Sequence, residues 1–251
     1  MSRVWKEDKA PRLPEVLIML VIVIGRGHGG TRLASSTLSQ SGVYMGKTNE
    51  SGDMIPPEGM YSAVRQVGHL PQKTIDNKWD FSQLIDSEPS KKFELSVETY
   101  IRPLFHAMTN DVTISSKYEH FGWKLPETIL AFPWIVKLFP DAHYIHWTRE
   151  FDDAVCAPHL TDDLRRWGVK SSDGTLRESW EYQRAIVAAT PKPRNFMTVC
   201  FEEFVLRQDD ILHVMSDFLD GLNLAKVYVD PSKVGEASRM KHVYNKDLSW
   251  L

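Results

Sequence analysis

The stretch with the clearest chemical potential is GRGHGGTR, residues 25–32, which directly follows the apolar run EVLIMLVIVI. Gly25 and Gly30 have the spacing of a phosphate-binding turn, in which main-chain N–H groups point at an anion at the start of the next helix. Glycines after a strand also permit a tight turn without a ligand, but the two arginines and the histidine here favour anion binding. An ATP-binding turn would continue with lysine and then serine or threonine, whereas Thr31 and Arg32 follow here. The turn therefore predicts an anion site made of main-chain amides.

The elements around this turn place it at the edge of a sheet. Residues 16–24 are unbroken apolar and rich in Val and Ile, which predicts a parallel strand covered on both faces. The segment TRLASSTLSQSG predicts a helix that ends at Gly42. Strand, glycine turn and helix in this order begin a βαβ unit.

Strands and helices continue to alternate along the chain. Further strands are predicted at GVYMG, HFGWK, DAHYIHWTRE and RNFMTVCFEEF. Helices are predicted at MYSAVRQVGHL, ETILAFPWIVKLF, DDAVCAPHLTDDLRRWG, TLRESWEYQRAIVAATP and DDILHVMSDFLDGL, with Pro133 a threat to the continuity of the second. Residues 70–95 are polar and punctuated by Trp and Phe, and helical excursions and a lid over the site stay open as alternatives.

This alternation predicts an α/β fold, a single-domain doubly wound parallel sheet in three layers, α/β/α. In such sheets ligands bind beyond the carboxyl ends of the strands. The glycine turn and the segments GWKLPE, HWTRE and CFEEF would all lie at that edge. We therefore expect four polar clusters to converge on one cleft.

Length and composition narrow the class of protein. The 251 residues fit one large domain, which we place at residues 15–245 after a flexible arm at residues 1–14. The net charge of -3 offers no general field to recruit nucleic acid or an anionic membrane, and the apolar run is too short to cross a bilayer. Cys156 and Cys200 suit the reduced thiols of a cytoplasmic protein. The oligomeric state stays open.

The glycine turn carries a family resemblance. GRGHGGTRL resembles the 5′-phosphosulfate loop of sulfotransferases that use 3′-phosphoadenosine 5′-phosphosulfate (PAPS), in particular the heparan-sulfate and tyrosylprotein types. His28 stands where that family has lysine or arginine. The resemblance implies a fold like that of P-loop-containing nucleotide hydrolases. It also implies donor contacts from Arg26, Gly27, His28, Gly29, Gly30, Thr31 and Arg32.

Three further segments resemble the same family in the right order. HYIHWTREFDDAV is similar to the strand and turn whose arginine binds the 3′-phosphate, which implies that role for Arg149. CFEEFVLRQDDILHVMSDFLDG resembles the segment that brings an aromatic ring, here Phe201, near the adenine. PSKVGEASRMK is similar to the basic loop that closes over the 3′-phosphate, with Lys233, Arg239 and Lys241 as its candidate ligands.

One position departs from the family pattern. The family usually places a serine eight residues after the 3′-phosphate arginine, and this chain has Ala157 there. His159, Thr161 and the C-terminal loop are the candidates to supply the missing contact.

The resemblance implies sulfuryl transfer from PAPS, as co-substrate, to a hydroxyl group of a small-molecule, lipid or saccharide acceptor, without a metal. The residues alone leave two alternatives: a P-loop-type kinase of nucleotides or small molecules, and a nucleotide-binding protein without catalysis, which Ala157 keeps open. No metal-ligand spacing is evident in the sequence, because His143 and His146 face opposite sides of a predicted strand.

Sulfuryl transfer needs a base for the acceptor proton and cations where charge builds on the departing phosphate. Lys124 stands where the resembling enzymes have a lysine that contacts the bridging oxygen, and His28 would add charge. A glutamate about twenty residues past the loop's basic residue is the base in the heparan-sulfate and tyrosylprotein types, which implies Glu50. Glu58, at a predicted helix start, and His120, near Lys124 but at the wrong offset, are the alternatives.

Overall fold

The core of the protein is a parallel sheet whose central strand precedes the glycine turn. The computed structural model describes residues 18–155, 157–236 and 238. Strand β1 (Leu20–Gly25) is apolar throughout because helices cover both of its faces. Val21 and Val23 pack into one hydrophobic layer, and Ile22 and Ile24 pack into the other.

The strands that follow β1 in the described chain are β2 (Val43–Tyr44), β3 (Gln72–Lys73), β4 (Trp79–Asp80), β5 (His120–Lys124), β6 (His143–Thr148) and β7 (Phe196–Cys200). Four of them join β1 in the five-stranded main sheet, in the order β2–β5–β1–β6–β7, and every neighbouring pair is parallel. β3 and β4 form a separate antiparallel hairpin. Because the five strands run the same way, their carboxyl ends share one edge of the sheet.

The helices of the described chain are α1 (Thr31–Gln40), α2 (Glu58–Val67), α3 (Ser82–Asp86), α4 (Lys91–Asn110), α5 (Val112–Lys117), α6 (Phe132–Leu138), α7 (Phe151–Ala154), α8 (Leu176–Ala189), α9 (Phe201–Leu206) and α10 (Gln208–Phe218). The layer that contains Val21 and Val23 receives side chains from α1, α9 and α10. The layer that contains Ile22 and Ile24 receives them from α2, α4, α6 and α8. The predicted three-layer α/β/α fold is confirmed.

Prolines interrupt two of the predicted helices. The segment ETILAFPWIVKLF is not one helix: Pro126–Ala131 form a 3₁₀ helix, and α6 begins at Phe132 with Pro133 in its first turn, where a missing N–H costs little. DDAVCAPHLTDDLRRWG was predicted helical, but α7 ends at Ala154 and a 3₁₀ turn follows only at Leu160–Asp162. Pro158 disfavours helical backbone at the residue before it, which explains the break.

Two other predicted segments also differ in the structure. β7 ends at Cys200, and the FEEF sequence that was assigned to this strand begins α9 instead. Residues 70–95, which the sequence left open, contain the β3–β4 hairpin, α3 and the start of α4. Asn77 adopts a left-handed φ of 58° in the hairpin turn, a conformation that asparagine tolerates better than most residues.

Candidate active site

The glycine turn joins β1 to α1 at the carboxyl edge of the sheet. Gly30 immediately precedes α1 with a φ of 88° and leaves the helix without a side-chain cap. A Cβ atom at this position would lie 2.3 Å from Cδ2 of Phe201, so only glycine fits. His28 also has a positive φ, of 59°, and its side chain is exposed. The first N–H groups of α1 therefore face a position where an anion is favoured.

The side chain of Arg26 is buried and hydrogen-bonds to other groups of the protein. Its Nε donates to Asp162 Oδ1 at 2.9 Å, and its Nη2 donates to the other oxygen of that carboxylate. Its remaining N–H groups are donated to the carbonyl oxygens of Gly27, Ala154 and Ala157. All five guanidinium donors are thus used inside the protein, and Arg26 shapes the turn. The Gly29 N–H is likewise donated to Arg26 O, at 3.0 Å.

Arg149 lies where β6 ends and reaches across to the turn. Its Nη1 donates to His28 O at 3.0 Å, and its Nη2 donates to Lys233 O at 2.7 Å. The guanidinium lies over the ring of Phe201, 4.3 Å from the ring centroid. Phe201 in turn packs against Gly30. Arg149 therefore links the glycine turn, the start of α9 and the C-terminal segment of the described chain.

A buried carboxylate supports this arginine. Glu202 is fully buried, and its Oε1 accepts the main-chain N–H of Glu150 at 3.1 Å. The same oxygen lies 3.9 Å from Nε of Arg149. Glu202 therefore fixes the main chain next to Arg149 and also stabilises the positive charge of Arg149.

Lys124 ends β5 with its side chain almost fully buried. Its Nζ donates to Ser51 O at 2.7 Å and also to Asp53 Oδ1. Burial lowers the pKa of Lys124, and the Asp53 carboxylate opposes that shift. Arg32, which is exposed at the start of α1, donates to Ser51 Oγ at 3.3 Å. The loop at residues 51–53 therefore connects Lys124 to the glycine turn.

Asp53 is a site residue that the sequence analysis missed. Asn49 Oδ1 accepts the N–H groups of Ser51 and Asp53, and Gly52 has a φ of 71°. The following residue, Met54, donates its N–H to Lys124 O at 2.9 Å. This tight turn holds the Asp53 carboxylate against Lys124. The glycine before Asp53 was the available signal, because it marks a reversal of the chain.

The predicted bases lie in different positions relative to Lys124. Glu50 is exposed in the same loop as Asp53, and Glu58 is exposed at the first residue of α2. His120 is at the amino end of β5, four residues before Lys124, which puts it about 13 Å away along the strand. Its Nδ1 accepts the N–H of Met19 at 3.3 Å. The alternative that His120 is the base is therefore wrong, because it lies at the opposite edge of the sheet.

Glu127 is a second acidic group that the sequence analysis did not single out. It lies three residues after Lys124, in the 3₁₀ helix that starts at Pro126, and is only 1% exposed. Burial raises its pKa to about 7, and the nearby Asp53 carboxylate acts in the same direction. This carboxyl group therefore holds a proton at acidic pH and loses it near neutrality.

The remaining predicted ligands are only partly described. Lys233 is exposed at the end of a 3₁₀ turn, and its carbonyl oxygen contacts Arg149 as given above. Arg239 and Lys241 lie outside the described residues. Within the described ranges, no group of three or more His, Cys, Asp or Glu side chains is arranged to hold a metal ion. No helix in those ranges combines the length and apolar character needed to span a bilayer.

Comparison with known proteins gives one family and several distant structures. Residues 21–224 match the model of the sulfotransferase family. The sulfotransferase domain from the curacin biosynthetic pathway is 13% identical, with 87% of this chain and 77% of that chain covered and a TM-score of 0.44. The sulfotransferase domain of the Synechococcus PCC 7002 olefin synthase is 15% identical, with coverages of 94% and 87% and a TM-score of 0.43. A sulfotransferase from Mycobacterium tuberculosis is 14% identical, with coverages of 93% and 73% and a TM-score of 0.38. No curated protein matches the chain significantly.

Proposed function

Because this chain belongs to the sulfotransferase family, we propose that it transfers a sulfuryl group from PAPS to a hydroxyl group of a small-molecule, lipid or saccharide acceptor. One observation carries the choice of donor: Arg149, at the end of β6, contacts the main chain of the glycine turn at His28 O. A ligand that binds both the turn and this guanidinium needs negative charge at two positions. PAPS and its product, adenosine 3′,5′-bisphosphate, have that property.

The glycine turn is the proposed site of the 5′-phosphosulfate group. The uncapped N-terminus of α1 offers main-chain N–H groups and the positive end of the helix dipole. Arg32 is exposed beside it and adds cationic charge, and the exposed His28 ring offers a further polar contact. Arg26 stabilises the conformation of the turn through its buried contacts with Asp162 and three carbonyl oxygens.

The 3′-phosphate is the proposed ligand of Arg149. The ring of Phe201 stacks against this guanidinium. Phe201 is also the residue predicted to lie near the adenine. Lys233 lies in the segment whose carbonyl oxygen Arg149 already contacts, which suits a loop that closes over the phosphate. Arg239 and Lys241 stay predicted ligands of the same group.

In the proposed reaction the acceptor oxygen attacks sulfur in line with the S–O bond to the 5′-phosphate. That bond breaks, its electron pair leaves with the phosphate, and the acceptor proton passes to a carboxylate. Lys124 donates two of its three N–H groups to Ser51 and Asp53, so one is left for the departing oxygen. We propose Asp53 as the base ahead of Glu50 and Glu58, because Asp53 alone of the three contacts Lys124.

Titration calorimetry with two nucleotides tests the choice of donor. We expect metal-independent binding of adenosine 3′,5′-bisphosphate and weak binding of ATP with magnesium. The opposite preference would favour the kinase alternative and contradict the proposal. The transfer itself is tested with PAPS and a panel of hydroxylated acceptors, with formation of the bisphosphate as the readout. Tight binding of the bisphosphate without transfer to any acceptor would favour the non-catalytic alternative.

A further inference from the structure

We infer that His159 is a further ligand of the donor, whose Nε2–H group donates a hydrogen bond to the 5′-phosphosulfate held by the glycine turn. This inference rests on the proposed function, because it requires that the turn binds PAPS. Neither the sequence pattern of the turn nor the family match assigns His159 to this end of the donor. Four features of the structure support it.

The first feature is the position of the ring. His159 lies directly against the turn: a Cβ atom at Gly27 would be 2.1 Å from Cγ of this histidine. The ring meets the exposed His28 ring edge-on, with centroids 5.3 Å apart. Gly27 is therefore glycine because an imidazole occupies the space where a side chain would be. The result is a second imidazole at the place where the anion is proposed to bind.

The second feature is the state of the two ring nitrogens. Nδ1 of His159 accepts the main-chain N–H of Thr161 at 3.1 Å. A nitrogen that accepts from an N–H group carries no hydrogen, so the hydrogen of the neutral ring is on Nε2. Among the described residues, no hydrogen bond to Nε2 is present. This nitrogen is therefore a donor that is available to a ligand.

The third feature is that the ring is neutral. Burial lowers the pKa of His159 to about 4, and the adjacent His28 acts in the same direction. At neutral pH the ring is an uncharged donor with Nδ1 already occupied. It can stabilise negative charge on a phosphosulfate oxygen, but Nε2 cannot accept the acceptor's proton. His159 is therefore a ligand and not the base.

The fourth feature is a buried network that fixes this histidine to the turn. Asp162 Oδ2 accepts the main-chain N–H of His159 at 2.7 Å. Asp162 Oδ1 accepts Nε of Arg26 at 2.9 Å and the hydroxyl of Ser179 at 2.9 Å. The Asp162 carboxylate thus fixes the position of Arg26, which stabilises the glycine turn. It also fixes the main chain of His159. Asp162 is a positioning residue for the same interaction.

Neighbouring side chains define which end of the donor His159 meets. Asp53, which contacts Lys124, is close enough to influence the pKa of His159. The ring therefore lies against the glycine turn and within electrostatic range of Asp53, the partner of Lys124. Thr161, the other candidate near Ala157, is fully buried with its hydroxyl against Nδ1 of His159. It has no role left as a direct phosphate ligand.

Two substitutions of His159 separate its hydrogen bond from its bulk. His159→Leu removes the donor, whereas His159→Gln retains an N–H donor on a side chain of similar reach. Adenosine 5′-monophosphate and adenosine 3′,5′-bisphosphate share the 5′-phosphate, so we expect His159→Leu to weaken both by a similar factor of about tenfold or more. We expect His159→Gln to stay within about threefold of wild type. His106→Leu and His106→Gln, at an exposed position on α4, are the matched controls and should bind like wild type.

The outcomes distinguish this inference from the proposed function. If wild type binds no bisphosphate, the proposed function fails, and the inference fails with it. If wild type binds and His159→Leu binds equally well, only the inference is overturned. A loss confined to the bisphosphate would assign His159 to the 3′-phosphate and also overturn it.

A spectroscopic measurement tests the inference without any variant. Long-range ¹H–¹⁵N correlation spectra of the free wild-type protein report which nitrogen of each histidine carries hydrogen. We expect His159 to be the neutral Nε2–H tautomer at neutral pH. The Nδ1–H tautomer, or a cationic ring, would contradict the inference even if His159→Leu did not fold.

Discussion

Arg26 and Arg149 have the same guanidinium group, yet the protein uses them differently. Arg26 gives its donors to Asp162 and to three carbonyl oxygens, and it is only 6% exposed. A planar group with five donors suits this task better than lysine would. Arg149 instead lies at the edge of the sheet, between His28 and Lys233. At the residue scale, the hydrogen-bond partners of an arginine determine whether it stabilises the fold or is available to bind a ligand.

Replacement of Arg149 should affect one nucleotide far more than another. Arg149→Ala removes the guanidinium proposed to bind the 3′-phosphate, a group that adenosine 5′-phosphosulfate lacks. We expect binding of the bisphosphate to weaken about tenfold to a hundredfold, with little change for adenosine 5′-phosphosulfate. Calorimetry measures both, and Arg102→Ala, exposed on α4, is a matched control. Equal losses for the two ligands would remove the assignment.

Of the three candidate bases Asp53, Glu50 and Glu58, only Asp53 contacts Lys124. We therefore expect their replacement to affect turnover to different extents. Asp53→Asn should lower kcat by about a hundredfold or more while nucleotide affinity stays nearly intact. Glu50→Gln and Glu58→Gln should stay close to wild type, because both side chains are exposed. Steady-state kinetics at saturating PAPS measures the effect. Low turnover in Glu50→Gln with normal turnover in Asp53→Asn would return the role to the residue that the family spacing implies.

At the scale of elements, the glycine turn depends on close packing against α9. The Gly30→Ala variant would place a methyl group 2.3 Å from Phe201 at a φ of 88°. Gly42 supplies a matched control, since its φ is 90° and nothing lies within 4 Å of a Cβ there. Both variants bear the cost of left-handed backbone, about 1 kcal/mol, but only Gly30→Ala also forces Phe201 to move.

We therefore expect Gly30→Ala to lose more stability in urea unfolding than Gly42→Ala, by about 1–3 kcal/mol. It should also weaken bisphosphate binding, because Arg149 contacts the displaced ring and Gly30 precedes the first N–H groups of α1. Equal stabilities of the two variants would show that the turn tolerates a side chain at this position.

The sequence was sufficient to predict the elements in which one physical requirement determines the residue types. The run of Val and Ile in β1 and the glycine turn before α1 were predicted because burial on both faces and positive φ each demand particular residue types. The break after α7 was not predicted, because only the backbone restriction that Pro158 imposes on the preceding residue marks it in the sequence.

The candidate site was less accessible to prediction, for reasons of distance and geometry. Arg26 has the residue type of a phosphate ligand, but its partner Asp162 lies 136 residues further along the chain. Asp53 lies three residues after Glu50, and only the turn around Asn49 and Gly52 brings its carboxylate to Lys124. Such pairings depend on the folded chain and leave no local pattern.

At the scale of the whole molecule, Glu127 couples stability to pH. Its pKa rises from 4.5 in the unfolded chain to about 7 in the folded protein, so the folded state binds the proton more tightly. The stability that this provides is fully present below pH 4.5 and is lost as pH rises through about 7. The loss amounts to about 3 kcal/mol.

Glu127→Gln should abolish this dependence, because glutamine does not titrate. We expect the free energy of unfolding of wild type, relative to that of the variant, to fall as pH rises from 4.5 to above 7. The measurement is urea unfolding of both proteins across this range. A constant difference between the two would show that Glu127 does not titrate there.

Arg149 contacts two main-chain oxygens, those of His28 and Lys233, before any nucleotide arrives. These bonds use two of the five guanidinium N–H donors and leave others for a phosphate. The guanidinium is therefore oriented before the nucleotide binds, and little side-chain entropy is lost when the phosphate arrives. We expect this preorganisation to strengthen binding of the 3′-phosphate.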